Sequence, residues 1–139
     1  MNKVIVGDAD VLIALIFEED SLHRIAKDVS KKLYKTGGRV IFPNTAIAEA
    51  VTTLLRKHSN PKLASYLTEQ YKDDRFAVEY VDEKIMKLAA ELFNPKSSKQ
   101  NTFFDAIVAA CAKTLSADAI FSFDGWYRKI GFRLAVDLP

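Results

Sequence analysis

The sequence predicts an α/β fold, a three-layer α/β/α sandwich on a mostly parallel central sheet. Three observations carry that expectation. Short apolar runs of strand character alternate along the chain with longer segments of helical periodicity. The 139 residues suit one compact domain spanning 1–139, which can bury about two-thirds of the surface its unfolded form exposes. Hydrophobic residues make up 49%, which excludes a disordered chain.

Val4-Ile5-Val6 reads as a buried strand ending at Gly7-Asp8. Residues 10–18 form a short helix. Residues 21–35 form a clearer one, with Leu22, Ile25, Val29 and Leu33 on one stripe. Arg39 to Phe42 is a second strand, introduced by Gly37-Gly38 and stopped by Pro43. A helix follows over about 44–58, and Asn60-Pro61 starts another that reaches about residue 72. Phe76 to Val81 is a third strand and 82–93 a helix. Asn94 to Asn101 is a polar loop, and Thr102 to Leu115 a strong helix. Ala119-Ile120-Phe121 is a fourth strand, with a short helix around Trp126 and a fifth strand over Arg133 to Val136.

Several function classes are excluded. One cysteine, Cys111, permits no disulfide within the chain and no multi-cysteine zinc motif. His23 and His58 are too few for a His-rich metal site. There is no G-x-x-x-x-G-K phosphate loop and no G-x-S-x-G nucleophile element. The longest apolar run, Val11 to Phe17, is far short of a membrane span. The N-terminus does not read as a signal peptide. A soluble, reducing, cytoplasmic setting without membrane partners is therefore expected.

The acids carry the functional signal. In parallel sheets, sites form beyond the carboxyl ends of strands at a topological switch point. Asp8 and Asp124 each follow a short apolar strand. Glu49 and Asp105 sit early in helices, and Asp10 lies two residues beyond Asp8. Each also has an ordinary reading. Asp8 and Asp10 suit helix caps, and Asp105 suits a capping box with Thr102. Asp124 suits a turn before Gly125. Glu49 falls opposite the apolar stripe of its helix, where a solvated glutamate is expected. Together they make a stronger case. Carboxylates that converge without basic partners need protons or cations, and hard oxygen donors select Mg²⁺ or Mn²⁺.

These residues resemble the PIN-domain ribonucleases, and in particular the small VapC-type toxins of VapBC toxin–antitoxin pairs. Val4-Ile5-Val6-Gly7-Asp8-Ala9-Asp10-Val11-Leu12 is similar to the family's opening strand, aspartate and apolar helix. Pro43-Asn44-Thr45-Ala46-Ile47-Ala48-Glu49 resembles the segment that delivers a helical glutamate. Asp105 to Ala112 resembles the family's aspartate-led, alanine-rich helix, and Phe121-Ser122-Phe123-Asp124 its final strand and aspartate. The resemblance implies a divalent-metal-dependent endoribonuclease with Asp8, Glu49, Asp105 and Asp124 around Mg²⁺ or Mn²⁺. It also implies an auxiliary hydroxyl at Ser122, a homodimer, and a small antitoxin laid across the active-site groove. The family commonly has Thr or Ser after the first aspartate, then Asn or Ser. Ala9 and Asp10 stand there in this chain, so Asp10 is a ligand, a neighbour of the ligands or a cap.

Positive charge should flank an acidic pocket that receives RNA. Arg24, Lys27, Lys31 and Lys35 recur at helical spacing opposite the apolar stripe of their helix. They are either a solvated face or a phosphate-tracking strip. Lys96, Lys99 and Arg56-Lys57-His58 are further candidates. Trp126 and Tyr127 are open to stacking on a base or closing an interface. Alternative readings are a haloacid-dehalogenase-like phosphatase with Asp8 as nucleophile, a PIN-like RNA-processing nuclease, and a non-catalytic binding module. The net charge of +2 also changes meaning. With those five acids gathered in one pocket, thirteen acids remain elsewhere against twenty bases, leaving a distinctly basic body.

Overall fold

The computed structural model describes residues 2–96 and 101–139. The sheet is parallel throughout, and its strands are β1 (Lys3–Gly7), β2 (Gly38–Pro43), β3 (Ala77–Glu79) and β4 (Ala119–Phe121). The spatial order is β3-β2-β1-β4. The chain therefore builds outward from β1 to β3, then crosses back to lay β4 on the other side of β1. The strand order reverses between β1 and β4, and this is the switch point.

The helices are α1 (Ala9–Ile16), α2 (His23–Lys35), α3 (Asn44–Arg56), α4 (Pro61–Lys72), α5 (Glu83–Leu92), α6 (Phe103–Thr114) and α7 (Trp126–Lys129). Successive strand residues point to opposite faces of a sheet. Val6 and Ile120 accordingly bury against α5, α6 and α7. Ile5, Ala119 and Phe121 bury on the other face with Val11 of α1 and Leu33 of α2. A third cluster joins Leu12, Ile47, Leu54 and Leu67, from α1, α3 and α4, to Phe42 of β2. The three-layer sandwich expected from the sequence is thus present.

Local chemistry fixes the element ends. Asp8, Asn60 and Asp82 accept hydrogen bonds from the backbone amides of Val11, Leu63 and Ile85, capping α1, α4 and α5. Thr102 and Asp105 close a reciprocal capping box at α6. Pro61 stands in the first turn of α4, where its missing N–H leaves no bond unmade.

Three expectations need correction. The fifth strand is a single parallel bridge, Ile120 to Leu134, after which Ala135–Asp137 makes a 3-10 turn. A bidentate pair, Arg128 to Asp137 with both bonds at 2.8 Å, links that turn to α7. On α2, Ile25 is 47% exposed. The buried stripe passes through Ala26 and Leu33, one position round the helix. Trp126 and Tyr127 belong to the core beside α6 and present no surface for stacking on a base.

Gly7 shows how tightly the end of β1 is held. A Cβ there would stand 2.4 Å from Cε1 of Phe42. The Phe42 ring is buried and lies edge-on to Phe76 at 5.9 Å, so it has little room to yield. Gly7→Ala should lower stability by about 1–3 kcal/mol, read as a lower urea midpoint at unchanged m-value.

Candidate active site

Asp8 leaves β1 at its carboxyl end, and its backbone amide donates to the Phe121 carbonyl of β4 at 3.2 Å. The side chain is 3% exposed. Ser122, which follows β4, is also buried. Its hydroxyl donates to the Asp8 carboxylate and accepts from the Asp124 amide at 3.0 Å. One hydroxyl therefore ties the two strand-end aspartates together across the switch point. Asp124 accepts from the Trp126 amide at 2.9 Å through Oδ1. Through Oδ2 it accepts from the Asn101 side-chain amide at 2.8 Å. Asp105 accepts from the Thr102 amide at 2.9 Å and, more weakly, from the same Asn101 amide at 3.4 Å. The helix-cap and turn readings of Asp8, Asp105 and Asp124 are all correct. The same bonds aim these carboxylates into one region.

Electrostatics shows how close the acids stand. Asp8 is pushed up to about 8, first by burial and then by repulsion from Asp10. Glu49, half-buried on α3, is pushed up to about 7 by burial, Asp105 and Asp10. Asp105 is raised by burial, and Asp124 and Asp10 add to the shift. Asp10 lies on the rim; partial burial of its carboxyl end raises it first and Asp124 adds to the shift, while Lys57 opposes. Among the described residues the ion pairs are Lys87 with Glu83 and Arg128 with Asp137, so no base neutralises the cluster at contact distance.

A hard divalent cation fits this donor set by chemistry, because every donor is a carboxylate or hydroxyl oxygen and the negative charge is uncompensated. Among the described residues no three acidic, His or Cys side chains already close on a single point. Asp8, Glu49, Asp105 and Asp124 are the groups that would hold the ion. Cys111 is buried with its thiol pushed up to about 12, and is inert core.

The sequence missed two neighbours of this cluster. Asn101 bridges two of the acids, yet it sits at the end of a loop without periodicity; its one signal is its position just before the capping box. The Tyr127 hydroxyl is buried without a hydrogen-bond partner and interacts electrostatically with Asp8, Asp105, Asp124 and Asp10. A cleft of about 520 Å³ opens beside Asp10 and Asp124, and Lys57 and His58 share its lining. Arg24, Lys27, Lys31 and Lys35 are exposed on α2 and are not among those lining residues. Lys96 is exposed, and Lys99 lies outside the described residues.

The raised values set a pH dependence. Asp8 and Glu49 rise from 3.8 and 4.5 to about 8 and about 7 on folding, so the folded chain holds more protons across that interval. The stability they contribute is complete below the lower values and is lost as pH rises through 7 and 8. In chelator, stability should fall by several kcal/mol between about pH 5 and pH 8, read as a Tm that drops steadily across that interval. Asp8→Asn keeps the cap and should flatten that slope. A Tm independent of pH in the wild type would contradict the crowding.

Comparison with known proteins bears on the family and the fold. The family model described as PIN domain matches residues 5–133. The search of curated proteins returned no match. Among solved structures, VapC20 of Mycobacterium tuberculosis, described as a sarcin–ricin loop cleaving toxin, superposes with a TM-score of 0.76 at 22% identity. That match covers 92% of this chain and 95% of that one. FitAcB from Neisseria gonorrhoeae gives 0.62 at 18% identity, over 96% and 99% of the two chains. A toxin–antitoxin complex from Klebsiella pneumoniae gives 0.56 at 16%, over 87% of each. These likenesses are likenesses of fold. The match to the family model spans nearly the whole chain, and with the fold and the acid cluster already in place, the chain belongs to the PIN domain family.

Proposed function

We propose that this protein is a Mg²⁺- or Mn²⁺-dependent endoribonuclease and the toxin of a toxin–antitoxin pair. The observation that carries the reading is the cluster of uncompensated carboxylates at the switch point between β1 and β4. A bound divalent ion would supply a water of lowered pKa and offset charge growing on the phosphate oxygens. The chain's own part is positioning. Asp8 and Asp124 are held at strand ends by Val11, Ser122, Trp126 and Asn101. Asp105 is held by its capping box. Glu49 accepts no hydrogen bond from the described residues, which leaves it the carboxylate most able to take a proton from the attacking water. Asp10 adds negative charge at the rim.

RNA as substrate rests on the family resemblance and on the basic body around the acidic pocket. An antitoxin partner is supported by the fold's likeness to the chain in the Klebsiella pneumoniae toxin–antitoxin complex. A homodimer is proposed on the family resemblance.

Cleavage of single-stranded RNA by the purified chain should require Mn²⁺ or Mg²⁺ and vanish in chelator. Asp8→Asn and Asp105→Asn should each lower the rate by about 100-fold or more while remaining folded. Equal activity of all three proteins, or activity in chelator, would overturn the site. Expression should arrest growth, with relief by co-expression of the product of a neighbouring small reading frame. Growth without arrest, alongside cleavage in vitro, would assign the nuclease to RNA processing instead.

A further inference from the structure

A ring of carboxylates repels the polyanion it is to cut, so a positive group must share the cleft. The α2 stripe is not in the lining, and Lys57 is. Lys57 follows the last residue of α3, is exposed, and forms no ion pair at contact distance among the described residues. It nevertheless stands near enough to Asp10 to favour that carboxylate's charged form. Beside it, the His58 ring meets Phe17 edge-on at 5.0 Å, which restrains its plane. Leu22 and Phe123 give the same cleft an apolar wall. A cation next to aromatic and apolar surface is the combination that takes a phosphate with its adjoining nucleoside from a single strand.

We propose that Lys57 holds a non-scissile phosphate of the RNA in this cleft, with the adjoining nucleoside against Phe123 and His58. The inference rests on the ribonuclease reading and makes Lys57 a positioning residue for it. A lysine at the end of α3 also complements the helix dipole; that contribution is read in thermal stability and leaves RNA affinity unmoved.

The test uses Asp105→Asn protein, so that binding is read without cleavage. A fluorescein-labelled single-stranded oligoribonucleotide of mixed sequence is titrated over a series of KCl concentrations. Adding Lys57→Ala should weaken binding about 5- to 10-fold at low salt and make the salt slope shallower by about 0.7, the value of one lost phosphate contact on a single strand. Lys57→Arg should restore both. Lys84→Ala, an exposed lysine on α5, should change neither. In the cleaving protein, Lys57→Ala should raise KM with kcat nearly unchanged. Unchanged affinity and slope in Lys57→Ala, or an equal loss in Lys84→Ala, would overturn the proposal. If the wild type cleaves RNA and Lys57→Ala binds like its parent, the inference fails and the ribonuclease reading stands. If the wild type never cleaves but Lys57→Ala loses affinity and slope as stated, the nuclease reading fails and the phosphate site stands.

Discussion

Asp8 is a carboxylate at the end of a strand covered on both faces, and the arrangement around the cleft follows from how that carboxylate is held. Burying an ionised group without a partner is costly. The chain answers with the Val11 amide, the Ser122 hydroxyl and an upward-shifted pKa, and not with a lysine or arginine. That choice leaves the carboxylate without a basic partner. A basic partner would have offset the cost of burying the charge. The strand reversal between β1 and β4 then determines what Asp8 meets. Ser122 and Asp124 arrive on the neighbouring strand end, while α3 and α6 bring Glu49 and Asp105 into the same electrostatic neighbourhood.

The bonds that cap helices and close turns are the same bonds that orient these acids. Asp105 caps α6, and the capping geometry fixes its direction. Asp124 makes a turn onto α7, and that turn presents its second oxygen to Asn101. Groups oriented by their own backbone need little reorganisation when charge develops nearby, which is what preorganised catalysis requires. The cost is burial first and mutual repulsion second, spread over Asp8, Asp10, Glu49 and Asp105 as raised pKa values. Tyr127 lies in the core within the field of the same charges, its hydroxyl without a partner.

The sequence made some of this legible and hid the rest for physical reasons. Asp8 and Asp124 could be found because a short apolar strand projects the next acid from the sheet edge, and Asp105 because the Thr-x-x-Asp spacing marks a helix start. Glu49 could not be found by periodicity. A side chain that faces a charged cluster lies off the apolar stripe, as a solvated one does, and only the family resemblance separated the two. Asn101 joins Asp105 and Asp124 through hydrogen bonds, one of them to a residue 23 positions away, which no local pattern records. The fifth strand stops at one bridge because the chain turns at Ala135–Asp137, a tertiary outcome that the run of strand-forming residues does not record. Ile25 and Ala26 exchanged burial because a stripe read from apolar residues alone overlooks alanine.

Crowded carboxylates without basic partners should bind a hard cation. A calorimetric titration of Mn²⁺ into the metal-free wild type and into Asp8→Asn, at a pH of about 8, addresses it directly. Binding to the wild type should be saturable, and lost or much weakened in the variant while the variant remains folded. Absence of saturable binding to the wild type, or equal affinity in the two proteins, would contradict it.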